Sequence, residues 1–215
     1  MRGLEPLSLC DWPGRPCAVI FLGGCNLRCP TCHNFELAWT MERLPVVPDW
    51  KVRVFLAERR RWLMGVTVTG GEPTMAPGLG ELLWELNKLE LPVKLDSNGM
   101  RPDVVAELLD QGLVHTFAVD VKGPYAKYPA LTGNAVDEAL ARANMERIFA
   151  LAESRPESFY FRLTRVPGLT DDDVRQARGY LPEGFSLTIQ DYVPPRRTYA
   201  EADHEERRPV GDVVH

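Results

Sequence analysis

Apolar residues recur along this chain in short runs of strand length, separated by stretches with a helical repeat. The runs are "CAVIFLGG" (17–24), "GVTVTGG" (65–71), "PVKLDSN" (92–98), "TFAVDVK" (116–122), "FYFRLTRV" (159–166) and "SLTIQDYV" (186–193). Most are β-branched and nearly continuous in apolar character, which predicts strands covered on both faces. Between them, Leu79, Leu82, Leu83, Leu86 and Leu89 make one helical stripe, and Ala141, Met145, Ile148, Phe149 and Ala152 make another. A third helix is predicted from Asp103 to a glycine stop at Gly112. A weakly amphipathic fourth is expected near 50–63, and a fifth follows "LTDDDV". Thr170 is the natural cap of that last helix, with three aspartates in its positive first turn. The acidic run is therefore read as helix chemistry and not as a metal site.

Six strands alternating with five helices predict an α/β fold built on a parallel sheet. The series is shorter than a closed (β/α)8 barrel, so a curved partial barrel and an open doubly wound sheet both remain. In either one, chemistry belongs at the C-terminal strand ends. Residues 1–193 read as a single domain. Residues 194–215 are charged and poor in apolar side chains, and are expected to form a polar tail ordered at most in part.

Composition narrows the function classes. Of 215 residues, 45% are hydrophobic and 26% charged, which suits a soluble chain with a sizeable core. A net charge of -5 argues against a broad nucleic-acid surface. No apolar run approaches the roughly 20 residues of a membrane span, and the N-terminus lacks a secretory pattern. The expectation is a cytoplasmic protein with no nucleic-acid or membrane partner. All five cysteines precede His33, an odd and clustered set that does not resemble a disulfide framework. Reduced thiols poised for metal fit better.

The chemistry concentrates in "GGCNLRCPTCHN" (23–34), where Cys25, Cys29 and Cys32 are spaced CxxxCxxC. Three thiolates can hold three irons of a [4Fe–4S] cluster and leave the fourth open to an outside ligand. The alternative is zinc, with Cys10, Cys17 or His33 as fourth ligand. His33 directly follows Cys32 and is poorly placed to join the same ion, and Cys17 begins a strand whose other end carries the loop. The remaining strand ends are polar: Gly70, Gly71 and Glu72, then Asp96, Ser97 and Asn98, then Asp120 with Lys122, then Arg162, then Gln190. Asp120 and Lys122 project to one side because strand side chains alternate. In a parallel sheet all these groups open onto one rim.

CxxxCxxC after the first strand, with GGE after the second, resembles the radical S-adenosylmethionine (SAM) enzymes over almost the whole chain. The resemblance implies a (β/α)6 partial TIM-type barrel that binds a [4Fe–4S] cluster and SAM. It further implies reductive cleavage of SAM to methionine and a 5′-deoxyadenosyl radical. By the same resemblance Gly70, Gly71 and Glu72 meet the methionyl amino group, while Thr31 and His33 lie near the adenosine. Thr31 departs from the family, where an aromatic residue is common.

Within that family, "VTGGEP", "LDSNG", "VDVKGP" and "RLTRVPGLTDDD" are similar to the glycyl-radical-enzyme activating proteins of the anaerobic ribonucleotide reductase and pyruvate formate-lyase types. That similarity implies a glycyl radical enzyme as protein substrate and a flavodoxin or ferredoxin as reductant. It also implies a monovalent cation near Asp96 and Asp120, with Lys122 or Arg162 as other sources of counter-charge. Gln190 or Tyr192 is expected toward the ribose, with Ser97 and Asn98 in the same site. No cysteine follows Cys32, so this chain supplies no thiolates for auxiliary clusters. Two other classes stand beside this one: a radical SAM enzyme acting on a small molecule, similar to the 7-carboxy-7-deazaguanine synthases, and a non-catalytic iron–sulfur or zinc module.

Overall fold

A computed structural model describes residues 1–195, so most of the predicted tail (196–215) lies outside the described residues. All six predicted strands form, within a residue or two of their expected ends: β2 (Cys17–Leu22), β3 (Gly65–Gly70), β4 (Val93–Ser97), β5 (Thr116–Asp120), β6 (Phe159–Arg165) and β7 (Leu187–Asp191). They pair in chain order, every pair from β2 to β7 parallel. A doubly wound sheet would reverse its strand order at a switch point. Sequential order excludes that alternative and leaves the partial barrel.

A seventh strand, β1 (Gly3–Ser8), pairs antiparallel with β2 at the sheet edge and was not anticipated. Its register shifts between Glu5 and Ser8, around Pro6, and Leu7 is 54% exposed. Proline without alternating burial hides a strand from pattern reading, and edge strands tolerate both.

The helices are α1 (Phe35–Trp39), α2 (Asp49–Arg59), α3 (Leu79–Lys88), α4 (Pro102–Asp110), α5 (Tyr128–Leu131), α6 (Glu138–Ser154) and α7 (Asp171–Arg178). Five were predicted; α1 and α5 are too short to show a period. The expected stripes face inward: Leu79, Leu83 and Leu86 of α3 are buried, as are Ala141, Met145, Ile148, Phe149 and Ala152 of α6. Gly112 takes a φ of +63° just beyond α4, the left-handed turn that ends it. Thr170 and Asp173 form a capping box at α7. Asp173 and Asp171 are also tied to Lys127 and Arg165 at 2.7 and 2.6 Å. The triple aspartate is structural.

The strands are covered on both faces, as expected, with β2 to β5 buried along most of their length, but from β3 onward the inner face is largely polar. β6 buries Phe159, Phe161 and Leu163 toward the helices and turns Tyr160, Arg162 and Thr164 to a half-buried inner side. Thr67 and Thr69 of β3 and Lys94 and Asp96 of β4 hold the equivalent alternate positions. The outer side carries the core: Val66, Val68, Val93, Leu95, Phe117 and Val119 join the helix stripes in one cluster. An incomplete barrel therefore keeps a polar interior along β3 to β7, while β2 turns Cys17, Val19 and Phe21 to that side. No helix among the described residues is long and apolar enough to cross a membrane.

Candidate active site

The C-terminal ends of β2 to β7 surround one cleft of about 530 Å³. The loop and strand-end residues singled out from the sequence line it: Cys25, Cys29, Thr31, Cys32 and His33 from the first loop, Gly70, Gly71 and Glu72 from the second, Asp96, Ser97 and Asn98 from the third, and Asp120, Lys122, Arg162 and Gln190 beyond. Asp11, Phe21, Leu27, Asn34, Thr69, Thr164 and Val193 line it as well and had not been singled out.

The cysteine loop is fixed from several directions. The indole N–H of Trp39 donates to Leu27 O at 2.8 Å, and Arg28 N–H donates to Thr132 O at 3.0 Å. Asn34 Nδ2 donates to Gly70 O at 3.0 Å, and Glu72 N–H to Gly24 O at 2.8 Å. The glycines permit this closeness. A Cβ on Gly71 would lie 2.1 Å from Gly24 O, and one on Gly70, whose φ is +127°, would lie 2.2 Å from Leu22 O. Helix α1 thus works as an anchor for the loop it follows.

Within the loop, Cys25 Sγ accepts the Leu27 N–H at 3.3 Å and lies 4.0 Å from Asn98 Nδ2. Burial pushes the Cys25 thiol up to about 11 and raises that of Cys32 as well, so a metal must displace these protons. Among the described residues no three His, Cys, Asp or Glu side chains converge on a single-ion site. A cluster asks less, since each of its irons needs one thiolate. Cys17 begins β2, opposite Gly65 at the start of β3, and Cys10 is exposed in the β1–β2 connection. Neither shares the rim, so a fourth zinc ligand from either is not at hand. The donor set, three soft sulfurs on a braced loop beside an open cleft, fits a [4Fe–4S] cluster held by Cys25, Cys29 and Cys32.

Two polar systems lie behind the loop. In the first, Glu72, 1% exposed, accepts Thr74 N–H at 3.2 Å, Thr74 Oγ1–H at 2.6 Å, Ser97 Oγ–H at 3.0 Å and Asn98 N–H at 2.6 Å. Asn98 in turn donates through Nδ2 to Asn26 Oδ1 at 2.8 Å, reaching the cysteine loop. Burial raises the Glu72 pKa against the pull of those donors. Three of the four donors meet Oε1 and one meets Oε2, so the carboxylate is tied to the protein through both oxygens.

In the second, Asp96 and Asp120 are met by cations of the chain itself. Arg162 Nη2 is 3.2 Å from Asp96 Oδ2, and its Nε is 2.5 Å from Asp120 Oδ1. Lys122 Nζ is 2.9 Å from Asp120 Oδ2, and Lys94 Nζ is paired with Asp96 Oδ1. Burial opposes the Asp120 charge, yet Arg162 and Lys122 hold its pKa far below the usual carboxylate range. The register places Asp120 directly opposite Arg162. The counter-charge expected from a monovalent cation is thus already supplied by side chains. Lys94 was not singled out, although its i, i+2 relation to Asp96 mirrors that of Asp120 and Lys122. At the mouth, the rings of His33 and Tyr192 meet at 5.5 Å, bringing the cysteine loop to the end of β7. Thr164 is paired with Gln190 across β6 and β7.

A parallel partial barrel with three thiols at its rim and converging polar strand ends defines a class of cluster-bearing enzymes. The Radical SAM superfamily model matches residues 19–181, more than half of the chain, and the chain belongs to that superfamily. Membership brings a [4Fe–4S] cluster and SAM as cofactors. A protein of Methanocaldococcus jannaschii, provisionally named a glycyl-radical enzyme activating enzyme, is 30% identical over 196 residues, covering 90% of this chain and 80% of that protein. The 7-carboxy-7-deazaguanine synthase of Hyperthermus butylicus is 32% identical over 144 residues, 61% of this chain and 59% of that one. Among solved structures, anSMEcpe with bound AdoMet superposes with a TM-score of 0.58 at 21% identity, covering 82% of this chain and 51% of that one. Streptococcus suis SuiB bound to S-adenosylmethionine gives 0.56 at 18%, covering 87% of this chain and 42% of that one. These two show the fold, and the chain spans about half their length or less.

Proposed function

We propose that this radical SAM enzyme installs a glycyl radical on a partner protein. The observation that carries the reading is the match to the activating-enzyme relative, which extends over 90% of this chain, barrel and rim together. The site supports it. The cleft is bordered on its β7 side by exposed Gln190 and Asp191 and by Val193, 65% exposed. Such a mouth admits a loop of another protein.

The cluster and SAM, when bound, supply a 5′-deoxyadenosyl radical able to take a hydrogen atom. The chain's own residues bind and orient. Cys25, Cys29 and Cys32 hold three irons. Main-chain groups of Gly70, Gly71 and Glu72 meet the amino group of SAM. Lys122 and Arg162 face its carboxylate. Thr31, His33 and Tyr192 border the nucleoside, with Ser97, Asn98 and Gln190 around the ribose. Asp120 keeps the two cations in place, and Asp96 adds negative charge beside Arg162. A glycine Cα–H is a suitable target because its radical is delocalised over the flanking amides. The reductant is a low-potential flavodoxin or ferredoxin.

The test is anaerobic electron paramagnetic resonance of the reconstituted protein with SAM, reductant and candidate glycyl radical enzymes. A glycine-centred doublet is expected on the partner. SAM cleavage without any such signal, across all partner classes, would defeat the reading. The similarity to the Hyperthermus butylicus enzyme favours a second reading, a small-molecule radical enzyme. Product formed from a candidate small molecule, with no partner protein present, would select it.

A further inference from the structure

A line of alternating charge runs inward from the cleft mouth: Lys122, Asp120, Arg162, Asp96, Lys94. Each neighbour is paired with the next, Lys122 to Asp120 at 2.9 Å, Asp120 to Arg162 at 2.5 Å, Arg162 to Asp96 at 3.2 Å, and Asp96 to Lys94. Side-chain exposure falls along it, from 27 and 28% at Lys122 and Asp120 to 17, 11 and finally 0% at Lys94. Three cations meet two carboxylates, so the line carries a formal charge of 3 − 2 = +1.

Lys94 is the member without a place in the site. It does not line the cleft. A fully buried ammonium is costly unless it is paired, so its presence requires a compensating role. Its Nζ lies on the Asp96 oxygen opposite the one that meets Arg162, and 5.9 Å from the Tyr160 ring. Without it Asp96 would draw on Arg162 alone, and the whole line would be neutral, 2 − 2 = 0.

We propose that Lys94 is a positioning residue: it neutralises Asp96 from within the barrel, leaving one uncompensated positive charge at Arg162 and Lys122 for the carboxylate of SAM. This rests on the superfamily's cofactor and not on the activating-enzyme reading, so either stands if the other fails. The cation that decides carboxylate recognition is thus one the ligand never touches.

Calorimetry on the anaerobically reconstituted protein tests it, with SAM and its decarboxylated analogue as probes. Lys94→Met is expected to weaken SAM about tenfold, the effect of one charged partner, while changing the analogue far less. The double variant Lys94→Met/Asp96→Asn restores the balance, two cations against one carboxylate, and is expected to recover the wild-type ratio of the two affinities. Equal weakening of both probes, no weakening of either, or a double variant that stays poor for SAM would each overturn the proposal. If Lys94→Met alone does not fold, the double variant, which removes the buried pair together, decides by itself. A wild-type ratio supports the charge balance, and a lost ratio refutes it.

Discussion

Glu72 and Asp120 are carboxylates at parallel strand ends under the same cleft, yet they are held in opposite ways. Glu72 accepts four hydrogen bonds from neutral donors on Thr74, Ser97 and Asn98. Asp120 sits between two cations. Neutral donors fix the carboxylate without adding charge, so the Glu72 system is a brace that joins the ends of β3 and β4 to the cysteine loop. Paired charges leave a remainder, because cations outnumber carboxylates. One region fixes geometry and the other sets potential.

The most severe way to break both regions is to remove what they surround. Cys25→Ala, Cys29→Ala and Cys32→Ala are each expected to abolish the intact cluster and SAM cleavage, read by iron content and by 5′-deoxyadenosine. Retention of either in one variant would remove that ligand from the set. Next comes Gly71→Val, which strikes the brace. Its Cβ would press on backbone Gly24 O, which no rotamer change relieves. A loss of about 3 kcal/mol is expected, with weaker SAM binding, measured by denaturant melts and calorimetry.

Smaller effects sharpen the contrast through pH. The Asp120 pKa is depressed in the fold, so its contribution to stability is complete above about pH 4 and is lost as pH falls toward the folded pKa. The stability gap between wild type and Asp120→Asn should therefore shrink on acidification. The Glu72 pKa is raised, so its contribution is complete below about pH 4 and is lost as pH rises through the folded value. The gap between wild type and Glu72→Gln, about 1–2 kcal/mol, should shrink in the other direction. Parallel curves for the two variants would contradict the distinction. Smallest of all, Cys10→Ala and Cys17→Ala should leave iron content unchanged. Cys17→Ala should cost about 1 kcal/mol, since that thiol is buried against Thr67 at 3.4 Å.

Much of this arrangement is legible in the residues because it depends on local rules. The runs at 17–24, 65–71 and 159–166 mark strands by composition, and their ends in one parallel sheet must share a rim. Cys25, Cys29 and Cys32 announce a metal by spacing alone, and Thr170 announces a helix start. β1 was missed because its stability comes from its partner β2 and not from its own pattern. Lys94 was missed because a lysine two residues before an aspartate gives no sign of whether it is solvated or sealed.

The sequence by itself determined the alternation of strands and helices, the three-thiol loop and the set of polar strand ends, since each follows from spacing along the chain. Only the tertiary structure decided which charges meet. Asp120 faces Arg162 through a register between strands 42 residues apart. The Glu72 side chain takes on a bracing role because Ser97 and Asn98 are folded against it. Pairing and burial are properties of three-dimensional neighbours, and the energy of a charge depends on those neighbours far more than on the residue that bears it.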